Sequence, residues 1–534
     1  MSTHFHHINA ATARAWLNDQ REIALLDVRE AGEFGEGHPF FAIPAPYSRL
    51  EIDVPRLVPH RATRIVLIDS GDGTAERAAS RLFTQGYSQL HVVKGGTHAW
   101  AASGFTLFKG VNLPSKTFGE LVEHAFDTPR ITAQELQARQ HAGRPLVLVD
   151  GRTLAEHQKM TIPGASSLPN GELVRHWRAQ VSDDFTPIIV HCAGRTRSII
   201  GAEILRSIGI RNPVFALENG TQGWALAGLQ LEHGSTRKAT AASTAHHEDN
   251  AAAERLARST GAQHLNVQQA QAWVDDASRT TFVLDIRSAE EIAAGTLQGA
   301  THAPGGQLLQ ATDQTIGVRN ARVLLLDDEG VRAPVIAAWL WRLGHETATV
   351  EGGIHAALQL PSQASQPMER HATRIAPELL ADWVASHGPR LLDMQSSTQY
   401  RKQHAAASQW TIRPWLHREA PPDDKPLLLI ASDADIAELA AVDLHEAGNK
   451  HIAWAHIDDW IAAGLPTQTT PDQPSDKNSI DYLFFVHDRH EGNLDAARRY
   501  LEWETGLIAQ CAPDELSVFR LSNTAHLEHA TESA

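Results

Sequence analysis

Two cysteines occur in the 534-residue chain, Cys192 and Cys511. That count excludes a disulfide framework and any multi-cysteine zinc site, and it leaves one thiol in a special setting. Cys192 follows the apolar run PIIVH and precedes Ala193-Gly194-Arg195-Thr196-Arg197, after which SIIGAEILRSIG, beginning at Ser198, has a helical composition. A thiol between a strand and a helix N-terminus meets converging backbone N–H groups and the positive end of the helix dipole. Arg195 and Arg197 add two cations, and Gly194 allows a tight loop around the sulfur. Together these favour thiolate over thiol and make Cys192 a candidate nucleophile near neutral pH. A buried structural cysteine is the plainer alternative, but two arginines and a glycine within five residues argue against it. Cys511 lies in an expected tail helix, has no activating neighbour in sequence, and is expected to be structural.

The elements that must position this loop recur four times along the chain. Each unit begins with an apolar strand ending in aspartate, at Asp27, Asp150, Asp285 and Asp393. A second apolar strand follows about 40 residues later (RIVLID, PIIVH, RVLLLD, PLLLIA), then a polar loop and an alanine-rich helical stretch. Each unit closes on a third strand and a turn-helix, as in VVKGGTHAWAASGF and ALENGTQGWALAGL. Continuous apolar runs alternating with amphipathic helices predict an α/β fold with parallel sheets covered on both faces. The expected domains are 5–110, 128–234, 262–362 and 372–468, with a C-terminal extension at 478–534 that reads as a strand and a helix. Only the second unit has a cysteine in its loop; Ser70, Asp328 and Ser432 are taken as the matching positions. The stretch HGSTRKATAASTAHHEDNAAAERLA lacks an apolar period and is expected to be a linker separating two pairs of units.

Hydrophobic residues at 42% and charged residues at 21% fit folded globular protein. No apolar run approaches the ~18 residues of a membrane span, and the N-terminal stretch lacks the pattern of a secretory signal; a cytoplasmic enzyme is expected. A net charge of −16 disfavours nucleic acid and anionic membrane as partners. Histidine clusters such as His4/His6/His7 and His246/His247 lie in polar segments without metal-ligand spacing, so no metal site and no cofactor are expected.

The loop from Cys192 to Ser198 resembles the active-site loop of the rhodanese family, the thiosulfate sulfurtransferases, and the flanking VDGRTLAEHQKMTIPGASSLPNGELV and LENGTQGWALAGL resemble bacterial multi-repeat members. The resemblance extends over all four units and is weakest in the fourth. It implies five-stranded parallel sheets flanked by helices. It also implies a catalytic Cys192 that takes sulfane sulfur from thiosulfate and passes the persulfide to cyanide or a thiol, a protein acceptor being a further candidate. Ala193, Gly194, Arg195, Thr196 and Arg197 are then substrate-binding, as is Arg152, which matches a family arginine near the substrate. Arg29 and Arg287 hold the same place in units without cysteine, so part of this arginine's role must be structural; the fourth unit has Gln395 there. Trp224 recurs as Trp100 and Trp460 and reads as core.

In two-domain members an inactive N-terminal domain packs on an active C-terminal one, so units one and two are expected to form the catalytic half, separable near Ala241. Arg195 and Arg197 are expected to hold the sulfonate oxygens of thiosulfate. A cysteine phosphatase is the chief alternative, since His191 precedes the cysteine and an arginine and serine follow. Phosphatase loops hold five residues between cysteine and arginine, whereas four separate Cys192 from Arg197 here. A scaffold whose thiol-free repeats dock partners is the other alternative.

Overall fold

Strands such as VLVD (Val147–Asp150) and IIVH (Ile188–His191) are apolar along their whole length because both faces of the sheet are covered by helices. The computed structural model describes residues 4–361, 370–422 and 425–521. Four five-stranded sheets form, each parallel throughout and each with its strands in the spatial order first, fifth, fourth, second, third. In the second unit the strands are Arg130–Ile131, Val147–Asp150, Ser166–Ser167, Ile188–His191 and Val214–Leu217. In such sheets ligands gather beyond the carboxyl ends of the strands, and Cys192 lies directly after one of these ends.

The aspartate that ends each unit's second strand has one local role throughout. Arg29, Arg152 and Arg287 pair with Asp27, Asp150 and Asp285 at 2.6–2.7 Å and donate onward to the carbonyls of Gly37, Met160 and Gly295. Gln395 does the same more weakly, reaching Asp393 at 3.2 Å and the Gln403 carbonyl at 3.4 Å. The clamp ties strand end to following helix. The tryptophans are core, and their indole N–H groups donate to the carbonyl six residues on: Trp100 to Thr106, Trp224 to Gln230, Trp460 to Pro466.

Three expectations are corrected. First, the supposed linker is structured in its second half: His247–Thr260 is a helix whose Ala252, Ala253, Leu256 and Ala257 are buried against the helix Arg332–Arg342. Alanine-rich composition concealed a narrow apolar face. Second, the tail has no strand among its described residues; residues 480–493 form turns, followed by helices Leu494–Thr505, Leu507–Gln510 and Pro513–Leu516. Cys511 lies between the last two helices rather than within one.

Third, the units do not pair in chain order. One apolar core runs through units one, two and three. Unit two faces unit three, with Gly171 packed so closely on Gly305 and Gly306 that a side chain there would lie 2.7 Å from the Gly306 nitrogen. Arg332 of unit three also reaches Glu172 of unit two at 3.0 Å. Unit one meets unit four through Arg413, fully buried between Glu51 (2.6 Å) and Asp443 (3.0 Å). It also meets unit three through Glu22 and Arg279 at 2.7 Å.

Candidate active site around Cys192

Strand register identifies the true counterparts of Cys192. Asp27, Asp150, Asp285 and Asp393 pair across the sheet with Ile68, His191, Leu326 and Ile430. The next residues are Asp69, Cys192, Asp327 and Ala431, so Ser70, Asp328 and Ser432 each lie one position too far. The carbonyls of Asp69, Cys192 and Asp327 all accept from the start of the closing helix, at Thr97, Thr221 and Ile354 (2.7–2.9 Å). Gly96, Gly220 and Gly353, all at positive φ, are required there because a Cβ would collide with those carbonyl oxygens. In units one and three the aspartate simply continues the apolar run, which made it look like a strand residue.

The loop after this strand is built to hold an anion. The Asp69 carboxylate accepts from the amides of Gly71, Gly73 and Ala75 at 2.8–3.2 Å. Asp327 accepts from those of Gly330, Val331, Arg332 and Ala333 at 2.8–3.1 Å. The loop is therefore an anion cradle that a protein carboxylate fills in two units. In unit two the helix Thr196–Ser207 starts with no side-chain cap, and among the described residues the amides of Ala193 to Ser198 have no acceptor within the protein. Cys192 carries the sulfur at this place. It is 2% exposed, and its Sγ lies 3.0 Å from the Ser198 hydroxyl.

Beneath the loop lies a buried polar floor. Asp150 accepts from Arg152, His157 (3.1 Å) and Thr161 (3.0 Å). Burial works against its charge, but His191, Arg152 and His157 outweigh it and hold the carboxyl well below the ordinary range. His191, 3.6 Å from Asp150, is pushed down to about 4 by burial and is neutral at physiological pH. Arg152 belongs to this floor: it is 2% exposed, bound to Asp150, and does not border the cavity above Cys192. Its expected contact with substrate is replaced by the strand-end clamp.

Ala193, Gly194, Arg195, Thr196 and Arg197 do border that cavity, whose volume is about 250 Å³. The two arginines are not available as free cations. Arg195 donates to Glu120 at 2.7 and 2.8 Å and also to Glu123. Arg197 grips Glu156 with two bonds at 2.7 and 2.8 Å and reaches Gln307 of unit three at 3.3 Å. The expectation that they bind sulfonate oxygens is corrected accordingly: each is already paired with a carboxylate, which fixes the loop's shape.

The partners were not singled out from sequence. Lys116, Glu120 and Glu123 share one face of the helix Leu113–Phe126, which joins units one and two, and their i, i+4, i+7 spacing was the available signal. Lys116 is buried, bonded to the Tyr500 hydroxyl and 3.3 Å from Glu504; burial lowers its basicity, yet Glu504 and Tyr500 raise it overall. Glu504 also accepts from Thr196 at 2.8 Å. A side chain on Gly194 would approach Glu504 and Tyr500 to 3.0 Å, so the tail helix seats directly on the loop. The cavity is thus composite, bordered by unit two, the joining helix, unit three through Gln307 and Gln310, and the tail. Among the described residues no cluster of three or more His, Cys, Asp or Glu is placed to hold a metal ion, and no helix is long and apolar enough to cross a membrane.

Sequence and structure comparisons agree with this architecture. The chain matches the Rhodanese-like domain family over residues 9–103, 132–227 and 266–359. A crystal structure of thiosulfate sulfurtransferase from Pseudomonas aeruginosa is 38% identical, covering 96% of this chain and 99% of its own, with a TM-score of 0.88. The chain belongs to the rhodanese-like domain family. Single-unit similarities include the rhodanese-like domain of an Anabaena sp. protein (23% identity, 20% of this chain and 80% of that one, TM-score 0.18). A rhodanese-related protein from Thermoplasma volcanium is 25% identical over 20% of this chain and 97% of its own, TM-score 0.17. Comparison with curated proteins returns no match.

Proposed function

We propose that the protein is a sulfurtransferase that moves sulfane sulfur from thiosulfate through a Cys192 persulfide to cyanide or a thiol. The observation that carries this reading is the anion cradle, filled by a carboxylate in units one and three and left to a sulfur atom in unit two. The 38% identical thiosulfate sulfurtransferase supports it. The Cys192 thiolate attacks the outer sulfur of thiosulfate; the thiosulfate S–S bond breaks and sulfite leaves with the electron pair. The terminal persulfide sulfur then sits among unpartnered loop amides, which favour its negative charge. Cyanide attacks that sulfur, thiocyanate departs, and the thiolate returns, a ping-pong cycle. Units one and three lack the nucleophile and serve as packing partners. The fourth unit is a diverged fourth copy of the same domain, supported by its strand order, the Asp393–Gln395 pair and the Trp460 bond.

The phosphatase reading has less support. Four residues separate Cys192 from Arg197, and the Arg197 guanidinium is held by Glu156 rather than free for phosphate. Thiocyanate formation from thiosulfate and cyanide tests the proposal against its rival. The wild type should turn over, Cys192→Ser should not, and aryl phosphate should be untouched; efficient phosphate release with no thiocyanate would reverse the assignment.

A further inference from the structure

The cavity above Cys192 has a wall that no other unit supplies, built from the tail segment 483–490 and the helix Leu494–Thr505. Of the cations bordering the cavity, Arg195, Arg197 and Lys116 each have a carboxylate partner. Arg489 has none among the described residues. Its Nη1 donates to the Val486 carbonyl at 3.2 Å, its guanidinium lies 4.6 Å from the Tyr500 ring centroid, and its Nε is buried without an acceptor. Nδ1 of His490 and Nε1 of Trp503, two more residues bordering the cavity, are likewise buried without a hydrogen-bond partner. Burial, helped by Arg489, pushes His490 down to about 3, so its ring is neutral.

A guanidinium on the cavity wall with no carboxylate partner suits an anion with more than one acceptor oxygen. The wall also offers Leu483, Phe485 and Val486, which a compact inorganic dianion would not use. The space of about 250 Å³ is roughly eight times a water's ~30 Å³ share, more than the five heavy atoms of thiosulfate need. Resting on the sulfurtransferase reading above, we infer that the C-terminal extension recognises the sulfur acceptor, that this acceptor is an organic thiol bearing a carboxylate, and that Arg489 receives the carboxylate. In the transfer the acceptor thiolate attacks the outer persulfide sulfur. A new S–S bond forms on the acceptor, the Cys192 S–S bond breaks, and the electron pair returns to Cys192.

The test uses the full chain loaded with thiosulfate and compares 3-mercaptopropionate with uncharged 2-mercaptoethanol as acceptors. The wild type should show a KM for the carboxylate thiol about tenfold or more below that for the neutral one, the scale of one charge-assisted hydrogen bond. Arg489→Met should bring the ratio close to one, and Arg489→Lys should restore part of it. Trp503→Phe, which keeps an aromatic side chain and removes one donor, should shift the ratio in the same direction by a smaller factor and covers the case in which Arg489→Met does not fold. The mass of the peptide holding Cys192 in each sample separates loss of sulfur loading from loss of acceptor recognition. A wild type that never acquires sulfur overturns the sulfurtransferase reading, whereas normal loading with a ratio unmoved by all three variants overturns the role of Arg489 alone.

Discussion

Replacing Arg195 with methionine should damage stability far more than chemistry, because the arginine's ligands are already inside the protein. Its side chain is 8% exposed and lies against Glu120 (2% exposed) and Glu123 (13%). Removing one member of a buried ion pair costs about 3–5 kcal/mol, chiefly by leaving the other charge uncompensated; here two carboxylates are left. Even with Arg195 present, burial pushes Glu120 up to about 7. Without the cation its folded-state value rises further, so the variant keeps a proton there at pH values where the wild type has lost it. A raised carboxyl contributes stability that is present at low pH and lost as pH rises through the folded value. The gap between variant and wild type should therefore widen above pH 7, by at most about 1.4 kcal/mol per pH unit. Urea unfolding followed by tryptophan fluorescence at pH 6 and pH 8.5 measures this, read as the first transition since several domains need not unfold together. Arg195→Met with Glu120→Gln should recover at least about half the loss. Wild-type stability at pH 8.5 combined with a tenfold fall in kcat/KM for thiosulfate would instead assign Arg195 to the substrate.

Truncation near Ala241 should abolish turnover and expose apolar surface, since it removes Gln307, Arg489, Trp503 and Glu504 from the cavity and cuts the shared core; a folded, active fragment would contradict the composite site. Asp327→Ala should destabilise by at least about 2 kcal/mol, because four loop amides lose a charged acceptor, while persulfide formation at Cys192 persists in the folded fraction. His191 is held down to about 4 by burial, so its neutral form contributes stability present above pH 6.5 and lost as pH falls toward 4. His191→Gln should flatten that part of the acid-unfolding profile, measured against the wild type. Cys511, whose thiol burial pushes up to about 12, should be replaceable by serine with sulfur transfer retained.

The fold was largely legible because each unit repeats the same apolar strand, aspartate and glycine-turn pattern, and repetition averages out local ambiguity. Cys192 was legible for a different reason: one cysteine among short polar residues and arginines is a local signal. What failed were questions of one residue or of long range. Asp69 and Asp327 extend an apolar run, so only strand pairing shows that they replace Cys192 rather than His191. Arg195 and Arg197 looked like substrate cations because their carboxylates, Glu120, Glu123 and Glu156, lie 41–75 residues away in sequence. Glu504 and Arg489 are about 300 residues from the loop they cover, in a tail with no repeat to announce its place. The helix His247–Thr260 was missed because alanine supplies burial without conspicuous hydrophobicity.

The proposed cycle depends on Cys192 carrying the travelling sulfur. Its most direct test is the mass of the peptide holding Cys192 after exposure of the intact protein to thiosulfate, and again after cyanide. That peptide alone should gain one sulfur atom and lose it completely to cyanide as thiocyanate, with neither change in Cys192→Ser. Sulfur found on Cys511 instead, or turnover persisting in the Cys192→Ser protein, would contradict it.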